Sequence, residues 1–180
     1  MSSAAPASAV QHGSFRLYLG AIVLGTLGIQ IHGVAVAWQV FRLTQADTKS
    51  AALALGAIGL AEVIPFVAAV LFAGHVADTH NRRRIARWAL AAMVAIGAVL
   101  FAQSLRPPAD WLQLTLLYAM VTLGGLARSF LTTARQAMIA ELLPRELIAD
   151  GVRWRNTLFE LACVVGPGLA GLLLWLGGEP

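Results

Sequence analysis

Residues 51–84 read AALALGAIGLAEVIPFVAAVLFAGHVADTHNRRR, and this stretch decides the fold. Between Ala52 and Ala73 the one ionisable side chain is Glu62. A hydrocarbon core of about 30 Å needs roughly 20 apolar residues of helix to cross it, and this run supplies them. The chain then turns polar from Asp78 to Arg84 and closes on three consecutive arginines. Working outward, the same alternation recurs, with apolar runs at 17–41, 85–103, 111–130 and 157–176. The breaks carry loop chemistry. Residues 42–50 hold Asp47, Lys49 and three hydroxyl side chains, and Arg106-Pro107-Pro108-Ala109-Asp110 is a helix-breaking turn. The mixed stretch 132–155 is longer, and Pro144 is placed to start a short amphipathic helix at the membrane interface. No strand-like alternation of the kind a membrane barrel needs is present. The expectation is an all-α integral membrane protein with five transmembrane helices.

Composition agrees. The 180 residues are 58% hydrophobic and only 12% charged, with a mean hydropathy of +0.73. Ordinary soluble domains carry about 25% charged residues, so this chain lacks the polar surface to cover a water-soluble globule. A disordered chain is excluded on the same ground. The single cysteine, Cys163, excludes a disulfide framework and a thiolate metal cluster. The net charge of +4 marks loops rather than a nucleic-acid surface, because basic residues concentrate on the cytoplasmic side of membrane proteins. With the N-terminus cytoplasmic, Arg16, Arg82, Arg83, Arg84, Arg87 and all five arginines from Arg128 to Arg155 face inward. Arg42, Lys49 and Arg106 face outward, as does the end of the chain at Pro180. A cleavable signal ending at Ala35-Val36-Ala37 is the rival reading of the first run, but the run continues past it through Phe41 and is long enough to span.

The loop after the second run reads Gly74-His75-Val76-Ala77-Asp78-Thr79-His80-Asn81-Arg82-Arg83-Arg84. It resembles the G-x-x-x-D-x-x-G-R-[RK] loop of the major facilitator superfamily, in the same place between second and third spans. Gly74 permits close helix contact, and Asn81, standing where the family has glycine, can take a left-handed turn. Asp78 and Arg82 are four apart and can pair if the segment is helical. In the fifth run, Gly166-Pro167-Gly168-Leu169-Ala170-Gly171 is similar to the G-P-x-x-G-G element of antiporters in that superfamily. Ala162, Gly166 and Ala170 form a stripe of small residues, and Pro167 favours a bend. Further stretches appear in family order: Ala37-Trp38-Gln39-Val40-Phe41, Ala61-Glu62-Val63-Ile64-Pro65-Phe66, Ala134-Arg135-Gln136-Ala137 and Leu143-Pro144-Arg145-Glu146-Leu147. They resemble the bacterial exporter branch called the transmembrane secretion effectors, which includes the enterobactin exporter.

The resemblance implies a twelve-helix transporter of which five helices are present, as part of the N-terminal six-helix bundle. Residues 1–15 are then a cytoplasmic tail, 16–177 a partial bundle and 178–180 an outer-side tail, in a bacterial inner membrane. The implied activity is proton-coupled export of a small molecule, siderophore or drug-like, with the bilayer, the proton gradient and a C-terminal half as partners. This length alone is not expected to transport, since alternating access needs two bundles. The Asp78–Arg83 loop would brace the cytoplasmic face, its acid facing a helix N-terminus of the other half. A small helical scaffold or partner subunit without transport activity is the reading of a different class.

Within the runs, Glu62 stands near mid-span, where a carboxylate is costly and suggests a proton or substrate site. Glu160 falls about one turn inside the fifth run, and His32, flanked by Gln30 and Gln39, is a titratable group in the first. Arg128 reads as lying near the cytoplasmic end of the fourth run. His75, Asp78 and His80 lack the further ligands and supporting shell that a metal site needs. No phosphate-binding loop, nucleophile motif or paired carboxylates are present, so no enzyme activity, cofactor, metal or nucleic-acid partner is expected.

Overall fold

The computed structural model describes residues 8–44, 48–105 and 110–177, apart from the side chains of Thr48, Asp78 and Asp110. Five long helices account for nearly all of them: α1 (Gly13–Thr44), α2 (Thr48–Thr79), α3 (Arg82–Ser104), α4 (Asp110–Leu142) and α5 (Ile148–Leu176). One-turn 3-10 helices lie at Ala9–Gln11 and Arg145–Leu147. All five long helices are long and apolar enough to cross a membrane, and no strand occurs among the described residues. Leu17, Leu53, Leu71, Trp111 and Val164 are each more than 70% exposed. Such apolar outer surface would promote association in water and suits contact with lipid. This is a multi-pass membrane protein.

Helices outlast the apolar runs that announced them. Thr132 to Leu142 continues α4, because its threonines, arginine, glutamine and glutamate end the hydrophobicity without breaking the backbone. No interfacial helix starts at Pro144; one 3-10 turn follows it, with Leu147 N–H donating to the Pro144 carbonyl at 3.0 Å, and α5 begins at once. The α2–α3 break is equally short. Asn81 caps α3 with an extended backbone (φ −66°, ψ 109°), its side-chain oxygen accepting from Arg83 N at 3.1 Å and Arg84 N at 3.2 Å. The expected left-handed turn at Asn81 is therefore replaced by an N-cap, which satisfies two orphan donors of the first turn. The expected turn at 106–109, the centre of the first loop at 45–47 and the tail at 178–180 lie outside the described residues.

The chain divides into two compact units, one of residues 1–35 with 138–180 and one of residues 36–137. In the first, Phe15 is fully buried, stacks on Tyr18 with centroids 5.8 Å apart, and packs with Leu19, Ile22, Ile139 and Leu143. Gly151 sits where a Cβ would overlap Leu143 and crowd Phe15. Asp150, in the first turn of α5, accepts from Ala9 N–H at 2.9 Å and from the Ser8 hydroxyl at 3.4 Å. In the second unit, Val36, Val40, Ile96, Leu100, Leu117 and Val121 form the core. Gln103 and Gln113 exchange side-chain N–H bonds with each other's backbone carbonyls, at 2.7 and 3.3 Å, and tie α3 to α4.

Candidate functional site

In α2 the residues turned inward are small or branched and lie three to four positions apart on either side of Pro65: Ala54, Ile58 and Ala61 before it, then buried Ala69, Ala73 and Ala77. Such a stripe lets a second helix come close, as membrane helices without a hydrophobic driving force require. The helix that approaches is α4. Tyr118 donates its hydroxyl to the Ala54 carbonyl at 2.8 Å, and Gly125 lies against the Glu62 carbonyl. A Cβ at Gly125 would overlap that oxygen and come within 3.2 Å of the Pro65 ring.

One turn beyond Gly125, Arg128 reaches Glu62. Its Nη1 donates to Glu62 Oε1 at 2.5 Å, and each side chain is 36% exposed. At 1.5 Å per residue Glu62 lies roughly 21 Å from the start of α2, and Arg128 roughly 21 Å from the end of α4. Both are mid-helix. The apolar run around Arg128 stops at Phe130, which put the arginine near an end; the helix continues to Leu142, which puts it in the middle. An isolated charge at such depth is costly, and pairing cancels much of the cost.

The loop motif falls at the break between α2 and α3. Gly74 has no neighbour that a Cβ would meet, so it makes no close helix contact here. Asp78 belongs to α2, but its side chain lies outside the described residues. The helix breaks at His80-Asn81, so Asp78 and Arg82 do not share one continuous helix. Arg82 donates Nη1 to the Ala137 carbonyl of α4 at 3.1 Å and Nε to the Ala77 carbonyl of α2 at 3.4 Å. It thus straps the ends of α2 and α4 together from the start of α3. Arg83 is exposed.

In the other unit the small-residue stripe of α5 is a packing seam. Ala162, Gly166 and Ala170 are buried, and Gly166 faces Gln30 of α1, whose Cβ a methyl at 166 would overlap. Gln30 also donates to the Cys163 carbonyl at 3.3 Å. Pro167 and Gly171 point away and are exposed. Glu160 is exposed too, roughly 18 Å inside α5 rather than a single turn, because that helix starts at Ile148 and not at the apolar residues. His32 is half-buried in α1. No three His, Cys, Asp or Glu side chains among the described residues are grouped to hold a metal ion.

The missed residues are Arg128 and Gly125. Both stand in Leu123-Gly124-Gly125-Leu126-Ala127-Arg128, where an arginine follows paired glycines inside an apolar run. That coincidence was the available signal.

Against known proteins, the profile of the family described as transmembrane secretion effector matches residues 2–179. The Staphyloferrin A transporter of Staphylococcus aureus (strain NCTC 8325 / PS 47) is 26% identical over 161 residues, covering 89% of this chain and 37% of that protein. The Na(+), Li(+), K(+)/H(+) antiporter of Planococcus maritimus is 35% identical over 112 residues, covering 61% of this chain and 25% of that protein. The chain thus spans about a third or less of the length of these relatives. No solved structure matches it.

Proposed function

The chain belongs to the transmembrane secretion effector family of the major facilitator superfamily, and we propose on that premise that it forms the N-terminal portion of a proton-coupled exporter of small molecules. Membrane transport is the common ground of the two relatives, one named for a siderophore and one for exchange of alkali cations against protons. The observation that carries the finer reading is the mid-helix ion pair of Glu62 and Arg128. Deprotonated Glu62 offers its negative charge to a cationic part of the substrate, which can take the place of the Arg128 guanidinium. Protonation of Glu62 removes that charge and expels the cationic group. Proton and cationic substrate would then compete for one carboxylate, which is the requirement for exchange. A siderophore or drug-like molecule that carries a cationic group suits such a site. His32 and Glu160 are secondary candidates for the proton path. The Asp78–Arg83 loop is assigned a bracing role, which Arg82 supports by holding two helix ends together. No enzyme activity is proposed. The N-terminus is assigned to the cytoplasm of a bacterial inner membrane on the distribution of basic residues.

The test is transport in proteoliposomes with the full-length transporter. Glu62→Gln should abolish acceleration of export by an imposed pH gradient while leaving downhill exchange measurable. Gradient-driven export at the unaltered rate would remove Glu62 from the coupling path. The 180-residue chain alone should bind without transporting, and vectorial transport by it would overturn its assignment as part of a larger transporter.

A further inference from the structure

A second feature of residues 36–137 has no part in the ion pair. Between α3 and α4 runs a groove of about 890 Å³. On the α3 side Ala89, Ala92 and Ala95 leave it hollow, where larger side chains would have filled the space. On the α4 side Met120, Leu123, Ala127 and Phe130 line it. From Arg84 to Val99, both on its wall, the groove follows α3 for roughly 22 Å. That distance exceeds the half-thickness of the hydrocarbon, about 15 Å, so the groove runs from one interface past the middle of the bilayer.

Its polarity is confined to one end. There the wall consists of His80, Asn81 and Arg84, and among the described side chains no acidic one lines the groove. Arg83, Arg84 and Arg87 make no side-chain hydrogen bond or ion pair among the described residues. Asn81 uses its amide oxygen on the helix cap, which leaves its NH2 as a donor on the same wall as Arg84. Trp88, one turn deeper and 69% exposed, also lies on the wall, and tryptophan favours the boundary between headgroups and acyl chains. Reading inward, the occupant must be anionic at one end, amphipathic for one turn, and then apolar for most of a leaflet. We propose that this groove is a binding site for one anionic glycerophospholipid, its phosphate at Arg84 and Asn81 and an acyl chain laid over the alanines of α3. A transmembrane helix is a poorer fit, since it would bring no fixed negative charge to the end where the arginines stand. The site is independent of the transport reading and needs only that the protein resides in a bilayer.

The experiment is native mass spectrometry and thermal unfolding of the purified protein with dioleoylphosphatidylglycerol or dioleoylphosphatidylcholine added. The wild type should retain one phosphatidylglycerol preferentially and unfold at a higher temperature with it than with phosphatidylcholine. Arg84→Gln should weaken phosphatidylglycerol retention about five-fold, the value of one basic residue at an anionic surface. Arg87→Gln, off the groove, should change it much less, and Ala92→Phe, which fills the groove, should weaken both lipids. Equal retention of the two lipids by the wild type would overturn the proposal. Equal losses for Arg84→Gln and Arg87→Gln would reduce it to a diffuse positive surface and overturn the site. A protein dimer that Ala92→Phe dissociates would give the groove to a helix of a second copy, and would overturn it as well.

Discussion

Gly125→Ala and Gly124→Ala form a matched pair of substitutions on consecutive residues of α4. Each adds one methyl group and each gains the same helix preference, about 0.5–1 kcal/mol relative to glycine. Their surroundings differ. A Cβ at Gly124 meets nothing within 4 Å, whereas one at Gly125 overlaps the Glu62 carbonyl oxygen and lies 3.2 Å from Pro65 Cγ. The oxygen belongs to helical backbone, so relief requires α2 and α4 to separate. Overpacking of this kind costs about 1–3 kcal/mol. The propensity gain cancels in the comparison, which leaves the steric cost as the whole difference between the two variants. Gly124→Ala should therefore equal or exceed the wild type in stability, and Gly125→Ala should fall below Gly124→Ala by about 1–3 kcal/mol. Reversible unfolding by titration with sodium dodecyl sulfate in mixed micelles measures both. Equal stabilities would refute the close α2–α4 approach, and with it the geometry that brings Arg128 to Glu62.

Two further predictions concern the same unit and the membrane around it. Glu62→Gln or Arg128→Met alone should each destabilise by about 1–3 kcal/mol, a value below that of fully buried pairs because both side chains are 36% exposed. The double variant should recover most of that loss in the same titration, and a strictly additive double variant would mean the two charges act separately. For orientation, an impermeant thiol reagent applied to intact cells should label Lys49→Cys and spare Arg83→Cys in a Cys163→Ser background; the opposite pattern would invert the topology.

The number and order of helices were legible because hydrocarbon imposes a length and an apolarity that no other solvent does. Their ends were not. Thr132–Leu142 and Ile148–Asn156 are polar enough to stop an apolar count yet remain helical, since backbone hydrogen bonding is indifferent to where the membrane ends. That gap misplaced Arg128 and Glu160 relative to mid-helix, and so hid the partner of Glu62. The stripe Ala162, Gly166 and Ala170 was readable as a seam because period four on a helix is a face. That its neighbour would be Gln30 was not readable, since nothing local to α5 names the helix across from it. Asn81 illustrates a competition between two uses of one residue. It tolerates a left-handed turn, but three arginines following it offer unsatisfied N–H groups, and capping them won.

The strap between Asp150 and Ala9 also dates a step in the life of the chain. The two residues are 141 positions apart, and the unit they close is assembled from both ends of the sequence. At synthesis rates of roughly 5–20 residues per second, on the order of ten seconds pass after Ala9 is made before Asp150 exists to hold it. Residues 36–137 are complete before then and can settle against one another while α1 still waits for α5. The buried ring of Phe15 has neither Leu143 nor Gly151 beside it during that interval. The bilayer, or the insertion machinery, must shelter that ring until the fifth helix arrives.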